Sequence, residues 1–313
     1  MNRRHYRKSN HRKRRIKNII IISIAVALAL FIIFLIIGLS LAEKKKKYDF
    51  NYNDFEYDET EEENIREVIN VGAYPLPLLE DGSSFNSRLA GIKEDAKSVC
   101  ISLNKFDGTL LFRSSLASSF SYLKTAPDAQ NLANCVENIT GNGLYVTATL
   151  YIPTFEDTDD DLKGDVELSI WGSVVCEAIR SGIGDVLLIA NSATEEDVEK
   201  LCALSDRIHI TEENAIIGLC LPNSVLESEK SVSLIDKLAE KFDYLAFNAT
   251  NLDGEGTILE KSEAAIAEMQ LQLMYYKMRV LLPRGTNSEE LDKLIDMVKK
   301  YSISSWQALP FYN

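Results

Sequence analysis

The residues with chemistry to offer sit at the ends of short apolar runs. Tyr74, Asn104, Tyr151, Asn191, Asn248, Asn251, Arg284 and Trp306 each close or follow such a run, with Asn223 and Gln307 in similar places. Amides bond hydroxyls and aromatic rings stack on flat apolar faces, so this set suits recognition of a polyhydroxylated ring such as a sugar. Carboxylates at comparable positions are Asp107, Glu156, Asp157 and Asp253. Acid–base cleavage of a glycosidic bond would need a suitably spaced pair of them. Asp107, however, lies in an Asp-Gly turn, where turn geometry alone accounts for it. Glu156 to Asp161 is an acidic loop without the glycine and terminal glutamate of a calcium loop, so solvated charge ahead of a helix accounts for it. His209, between Ile208 and Ile210, reads as a strand-edge residue without a catalytic partner.

Cys100, Cys135, Cys176, Cys202 and Cys220 are odd in number, widely spaced and set in apolar runs. They read as small buried hydrophobes rather than as disulfides or metal ligands, and no metal or cofactor is expected.

The elements that must hold these groups alternate in type. Strand candidates are Ile69–Tyr74, Ser98–Leu103, Leu144–Ile152, Asp185–Ala190, Ala215–Leu221, Tyr244–Phe247, Arg279–Leu282 and Ile303–Leu309. Most are almost continuously apolar, as strands covered on both faces are. Between them run helical patterns: Ile170, Val174, Cys176, Ala178 and Ile179 share one broad face and Gly182 stops it. Thr194 to Asp197 is a near capping box and Thr286 to Glu289 a full one. Strand–helix alternation means a parallel sheet, and eight strands in about 250 residues predict a (β/α)8 TIM-type barrel rather than an open doubly wound sheet. No GxGxxG or GxxxxGK[ST] follows a strand, so nothing supports a nucleotide site. In this register the last helix is lacking, and a helical pattern near 60–70, with Ile65, Val68 and Ile69 on one side, could cover the gap.

The N-terminal part has a different character. Ile19 to Ala42 is an uncharged run of 24 residues, and about 20 suffice to span a bilayer core. Nine Lys/Arg precede it and four follow, which predicts an uncleaved single-pass signal-anchor with its N-terminus in the cytoplasm. A cleaved signal peptide is the rival reading, but its apolar region would be about 7–15 residues long. The expected organisation is therefore a basic cytoplasmic tail (1–18), a transmembrane helix (19–42), an acidic stalk (43–60) and an extracytoplasmic barrel (61–313). Thirteen of the 34 Lys/Arg and one of the 47 Asp/Glu fall in 1–47, leaving the rest of the chain at about −25. Such a surface repels polyanions and excludes nucleic acid as its partner.

Several segments resemble the family 18 glycoside hydrolases, the chitinase-like TIM barrels. They are Val71-Gly-Ala-Tyr74, Asn104-Lys-Phe-Asp-Gly-Thr-Leu110, Gly218-Leu-Cys-Leu-Pro222, Phe242-Asp-Tyr-Leu-Ala-Phe-Asn-Ala-Thr-Asn251, Met278-Arg-Val-Leu-Leu-Pro283 and Trp306. The Asp-Gly-Thr turn and Gly143-Leu-Tyr-Val-Thr147 are also similar to glycosyl-hydrolase-like barrels of bacterial envelope proteins. The resemblance implies a fourth strand ending in clustered acids, the last a glutamate that protonates the glycosidic oxygen. The corresponding run is Asp185-Val-Leu-Leu-Ile-Ala-Asn191, whose alternate residues Leu187, Ile189 and Asn191 would point inward. Asn191 stands at the acid's place and cannot donate as a carboxylic acid does. The expectation is a membrane-anchored barrel without catalytic residues that binds cell-envelope glycan or a protein partner. The binding set would be Tyr74, Asn104, Tyr151, Asn191, Asn248, Asn251, Arg284 and Trp306. Two alternatives stand beside it: a hydrolase of chitin- or peptidoglycan-type N-acetylated glycans using Asp107 or Glu156, and a structural scaffold in a membrane assembly.

Overall fold

A computed structural model describes residues 72–310 apart from 79–81, 93–95, 121–122, 153–160, 191–193, 227, 229, 250–255, 276–277 and 284–287. The first half runs β1 (Gly72–Pro75), α1 (Gly82–Ala90), β2 (Ser98–Ser102), β3 (Leu110–Phe112), β4 (Thr125–Gln130), α2 (Leu132–Gly141), β5 (Tyr145–Ile152) and α3 (Asp161–Arg180). The second half runs β6 (Asp185–Ala190), α4 (Glu195–Thr211), β7 (Ile216–Cys220), α5 (Asn223–Leu226), α6 (Ser231–Ala239), β8 (Tyr244–Asn248), α7 (Ile258–Tyr275), β9 (Met278–Leu282), α8 (Ser288–Lys300) and β10 (Trp306–Ala308). The expected tail, transmembrane run, stalk and 60–70 helix lie outside the described residues, as does the Thr286 capping box. Among the described residues no helix is long and apolar enough to cross a membrane.

Eight strands close into a barrel in the order β1-β10-β9-β8-β7-β6-β5-β2, and every pairing around it is parallel. The eight runs expected from the sequence supply these eight strands. The topology is that of a TIM-type barrel, so the C-terminal ends of the strands form one mouth.

Burial on both faces explains the apolar strands. Val186 and Leu188 of β6 and Ile217 and Leu219 of β7 face outward and pack with Val174, Leu201, Leu204 and Ile208 of the helices. Leu187 and Ile189 face inward against Cys220, Tyr244, Ala246 and Leu281. Each fully buried aliphatic side chain contributes about 1.5–3 kcal/mol. Close packing sets the glycines too: a Cβ on Gly218 would lie 2.2 Å from Tyr244 Cζ, so only glycine leaves room for that ring inside the barrel. Helix ends follow the sequence signals. Thr194 and Asp197 complete the box at the start of α4, with Asp197 Oδ2 accepting from Thr194 N at 2.8 Å, and Gly182 stops α3 at φ +98.

The parallel pair β3–β4, between β2 and α2, was not expected. Thr125-Ala-Pro-Asp-Ala-Gln130 carries little strand propensity, and tertiary packing makes the strand instead. Leu110, Leu111 and Phe112 of its partner β3 are buried. Pro127 lacks an N–H and Asp128 is charged, which guards an edge strand against further pairing. Glu177 of α3 ties down the segment between β3 and β4, accepting hydrogen bonds from Ser114 Oγ, Ser115 N and Ser115 Oγ.

Candidate functional site

The barrel interior has two ends of opposite character. Near the N-terminal end, Asp185 opens β6 and Arg279 stands second in β9; both are shut from solvent, at 0% and 1% side-chain exposure. Arg279 Nη2 donates to Asp185 Oδ2 at 2.7 Å and Nη1 donates to Gln307 Oε1 at 2.9 Å and Tyr244 Oη at 3.0 Å. Its Nε donates to Ser305 Oγ at 3.2 Å, and Tyr244 Oη donates to Asp185 Oδ1 at 2.7 Å. Gln307 Nε2 in turn reaches Cys100 Sγ at 3.0 Å. Burial alone would lower the Arg279 pKa, but Asp185, Tyr244 and Tyr145 together outweigh it and raise the value. Burial likewise raises the Tyr244 phenol well above its ordinary value. This is a satisfied ionic plug, and its groups bond one another rather than facing a site. Gln307, one of the residues expected near the rim, belongs to it.

Toward the mouth the interior turns apolar on one side. Leu187, Ile189, Cys220, Ala246 and Leu281 form the inner cluster, with Tyr151 and Leu309 packed against it. The alternation expected for β6 holds for Leu187 and Ile189, while Asn191 lies outside the described residues. The opposite side is polar but internally paired: Ser102 Oγ and Thr149 Oγ1 share a 2.8 Å hydrogen bond. No carboxylate appears among the described inward-facing residues of this half.

Two members of the expected binding set stand at the mouth. Tyr151 is the last inward-facing residue of β5, one before its end, and Asn248 ends β8 in register with inward-facing Leu281. Asn104 is fully buried and positions Tyr151: its Nδ2 donates to Tyr151 O and its Oδ1 accepts from Tyr151 N, both at 2.8 Å. The amide thus extends the β2–β5 ladder as a peptide group would. Asn251, Arg284 and Glu156 lie outside the described residues, as do Asp157 and Asp253. Asn223 opens α5.

Tyr74 and Trp306 do not face the mouth. Gln307 shares the inward face with Arg279, so its neighbour Trp306 points outward and packs with Val280, Leu282 and Leu294. Trp306 also begins β10 rather than ending it. Its ring, 5% exposed, lies over Gly72, where a Cβ would come within 2.4 Å of it, and meets Tyr74 edge-on at 5.2 Å. The pair is part of the outer layer across the β1–β10 seam.

His209 also differs from expectation. It lies in the last turn of α4, not on a strand edge. Its Nε2 is 3.1 Å from Asp243 Oδ2, which accepts from Ile217 N at 2.7 Å. Ser205 Oγ lies 3.3 Å from His209 Nδ1, but this serine is buried and donates to Lys241 O at 2.6 Å. The arrangement clasps α4 to the β7–β8 edge at the end opposite the mouth, and a buried, committed hydroxyl is no nucleophile.

Asp107 occupies the exposed Lys105–Thr109 turn. Its Oδ1 accepts from Thr109 N at 2.9 Å, and this bonding holds the carboxyl below its usual pKa, so it remains ionised at neutral pH. Its neighbour Phe106 was missed by sequence reasoning; an apolar residue inside a turn was the available signal. Phe106 is 67% exposed, and its ring meets that of Tyr151 at 5.9 Å and 64°. No group of His, Cys, Asp and Glu among the described residues could hold a metal ion.

No protein-family model matches the sequence, and no curated protein matches it. Solved structures with similar coordinates include a family 18 chitinase from Pseudoalteromonas aurantia (10% identity, TM-score 0.48, covering 77% of this chain and 94% of that one). An L-ribulose 3-epimerase has 13% identity and a TM-score of 0.48, covering 78% and 81%. The spore cortex-lytic enzyme of Bacillus megaterium has 9% identity and a TM-score of 0.43, covering 76% and 70%. Likenesses this distant carry no functional argument, and the barrel rests on its own strand order.

Proposed function

We propose that the chain is a membrane-anchored, extracytoplasmic, glycosidase-like barrel that binds a cell-envelope glycan without cleaving it. The observation that carries this reading is the inner face of β6. Leu187 and Ile189 are buried against Cys220, Ala246 and Leu281, where a glycosidase of the resembled family would cluster its acids. A general acid contributes about 10²–10⁴-fold to rate, so an apolar wall in place of the acid's partners, with Asn191 in the sequence at the acid's own place, leaves no turnover. Binding requires less: a mouth with an aromatic and an amide, which Tyr151 and Asn248 provide. The uncharged run Ile19 to Ala42 supports the anchor, and its flanking charges support an outward-facing barrel.

The test is co-sedimentation of the full-length chain, in detergent micelles, with purified peptidoglycan sacculi. The reading expects saturable retention that soluble chitooligosaccharides compete away. Absence of retention at micromolar protein would overturn glycan binding and leave the scaffold alternative.

A further inference from the structure

An apolar ring held in solvent by an ordered turn is unusual enough to ask what it is for. Isolated exposed hydrophobes are common on protein surfaces, so exposure alone says little. Phe106 differs in its support. The turn that carries it is closed by the Asn104–Leu110 bridge, by Lys105 N donating to Thr109 O and by Gly108 N donating to Lys105 O, both at 2.9 Å. Gly108 takes φ +82, a backbone region that other residues rarely adopt, and Asp107 locks the turn from its side chain. The residue whose ring Phe106 touches is held at its main chain. Tyr151 is bound on both backbone groups by Asn104 and packs on the inner apolar cluster. One buried amide therefore ties the turn to the strand end, and the two rings stand at 64° across the lip of the barrel.

We propose that Phe106 and Tyr151 form a stacking subsite for a pyranose ring of a neutral glycan, a proposal that rests on the glycan-binding reading above. A pyranose has an apolar face of axial C–H groups, which the electron-rich face of an aromatic ring attracts, while its rim of hydroxyls stays hydrated. Because the turn and the strand end that carry the rings are ordered, little backbone entropy is lost on binding. The neutral class follows from charge: the part of the chain beyond residue 47 carries about −25 and repels phosphate- or uronate-rich glycans.

The test compares retention of the full-length chain and its variants on chitin beads and on peptidoglycan sacculi. Phe106 is exposed, so substitutions there leave the fold intact, which circular dichroism checks. Phe106→Ala is expected to weaken retention about tenfold, the scale of one aromatic contact. Phe106→Trp should retain binding, whereas Phe106→Leu, apolar but without a π face, should lose it as Ala does. Wild-type binding unchanged in Phe106→Ala, or restored by Phe106→Leu, would overturn the subsite while leaving glycan binding standing. Failure of the wild-type chain to bind either material would overturn the glycan-binding reading itself and the subsite with it.

Discussion

Asp185 and Arg279, 94 residues apart in sequence, meet at 2.7 Å inside the barrel with no access to water. The pair links β6 to β9 across the interior, and Tyr244 bonds both partners. Its energetics are lopsided. Two charges taken out of water are costly, and their attraction and hydrogen bonds offset that cost only while both are present.

This asymmetry sets the first prediction. Asp185→Leu leaves a buried, uncompensated guanidinium and is expected to cost about 3–5 kcal/mol in stability. Arg279→Met does the converse, at a similar cost. The double variant should be far less destabilised than the sum, because it removes both charges together. Denaturant unfolding of the four proteins measures this, and additivity within about 0.5 kcal/mol would show that the two residues do not act as a pair.

A second prediction concerns the cysteines. All five are buried and free, and burial raises the thiol pKa of Cys100 and of Cys220 to about 12. Thiolate is the reactive form, so the folded protein should titrate none of its thiols with a disulfide reagent at pH 8, and all five after unfolding. Rapid labelling of Cys100 in the native state would contradict the closed interior.

Acid sensitivity follows from three depressed carboxyls. The backbone N–H of Thr109 holds down Asp107, that of Thr257 holds down Glu260, and Lys300 holds down Glu263. Each binds its proton less readily folded than unfolded, so each stabilises the fold above its ordinary value of 3.8 for Asp or 4.5 for Glu. That contribution is lost as pH falls through the lower folded value. Thermal scans should therefore show Tm flat from about pH 7 to 5 and falling below, with a shallower fall in Glu260→Gln. Asp107 and Glu260 are exposed and Glu263 is half-buried but open to solvent, so the effect of each is small. An equal acid slope in Glu260→Gln would remove that residue from the account.

Much of the fold was legible because barrel strands covered on both faces are written as short apolar runs. The same alternation gave the inward direction of Leu187 and Ile189. It could not give the parity of Trp306, because Ile303 to Leu309 mixes polar and apolar residues on both faces and the strand begins only at Trp306. The Asp185–Arg279 plug had no local signal, since its partners come from five strands or their flanks. His209 misled because Ile208 and Ile210 flank it: Ile208 is buried, but Ile210 is exposed at 86%. Asn104 was legible as a strand-exit amide, yet its use to clamp Tyr151 depends on the β2–β5 register, which the sequence does not print.

The central claim is that the barrel holds a glycan and leaves its bonds intact, and release of reducing ends tests it most directly. Full-length chain in detergent is incubated with chitooligosaccharides and with peptidoglycan sacculi, and new reducing ends are counted against buffer. The account predicts no release above buffer from either substrate, in the same samples in which the protein sediments with the sacculi. Clear release of reducing ends, abolished by Asp107→Asn or by Glu156→Gln, would contradict it and establish an active hydrolase.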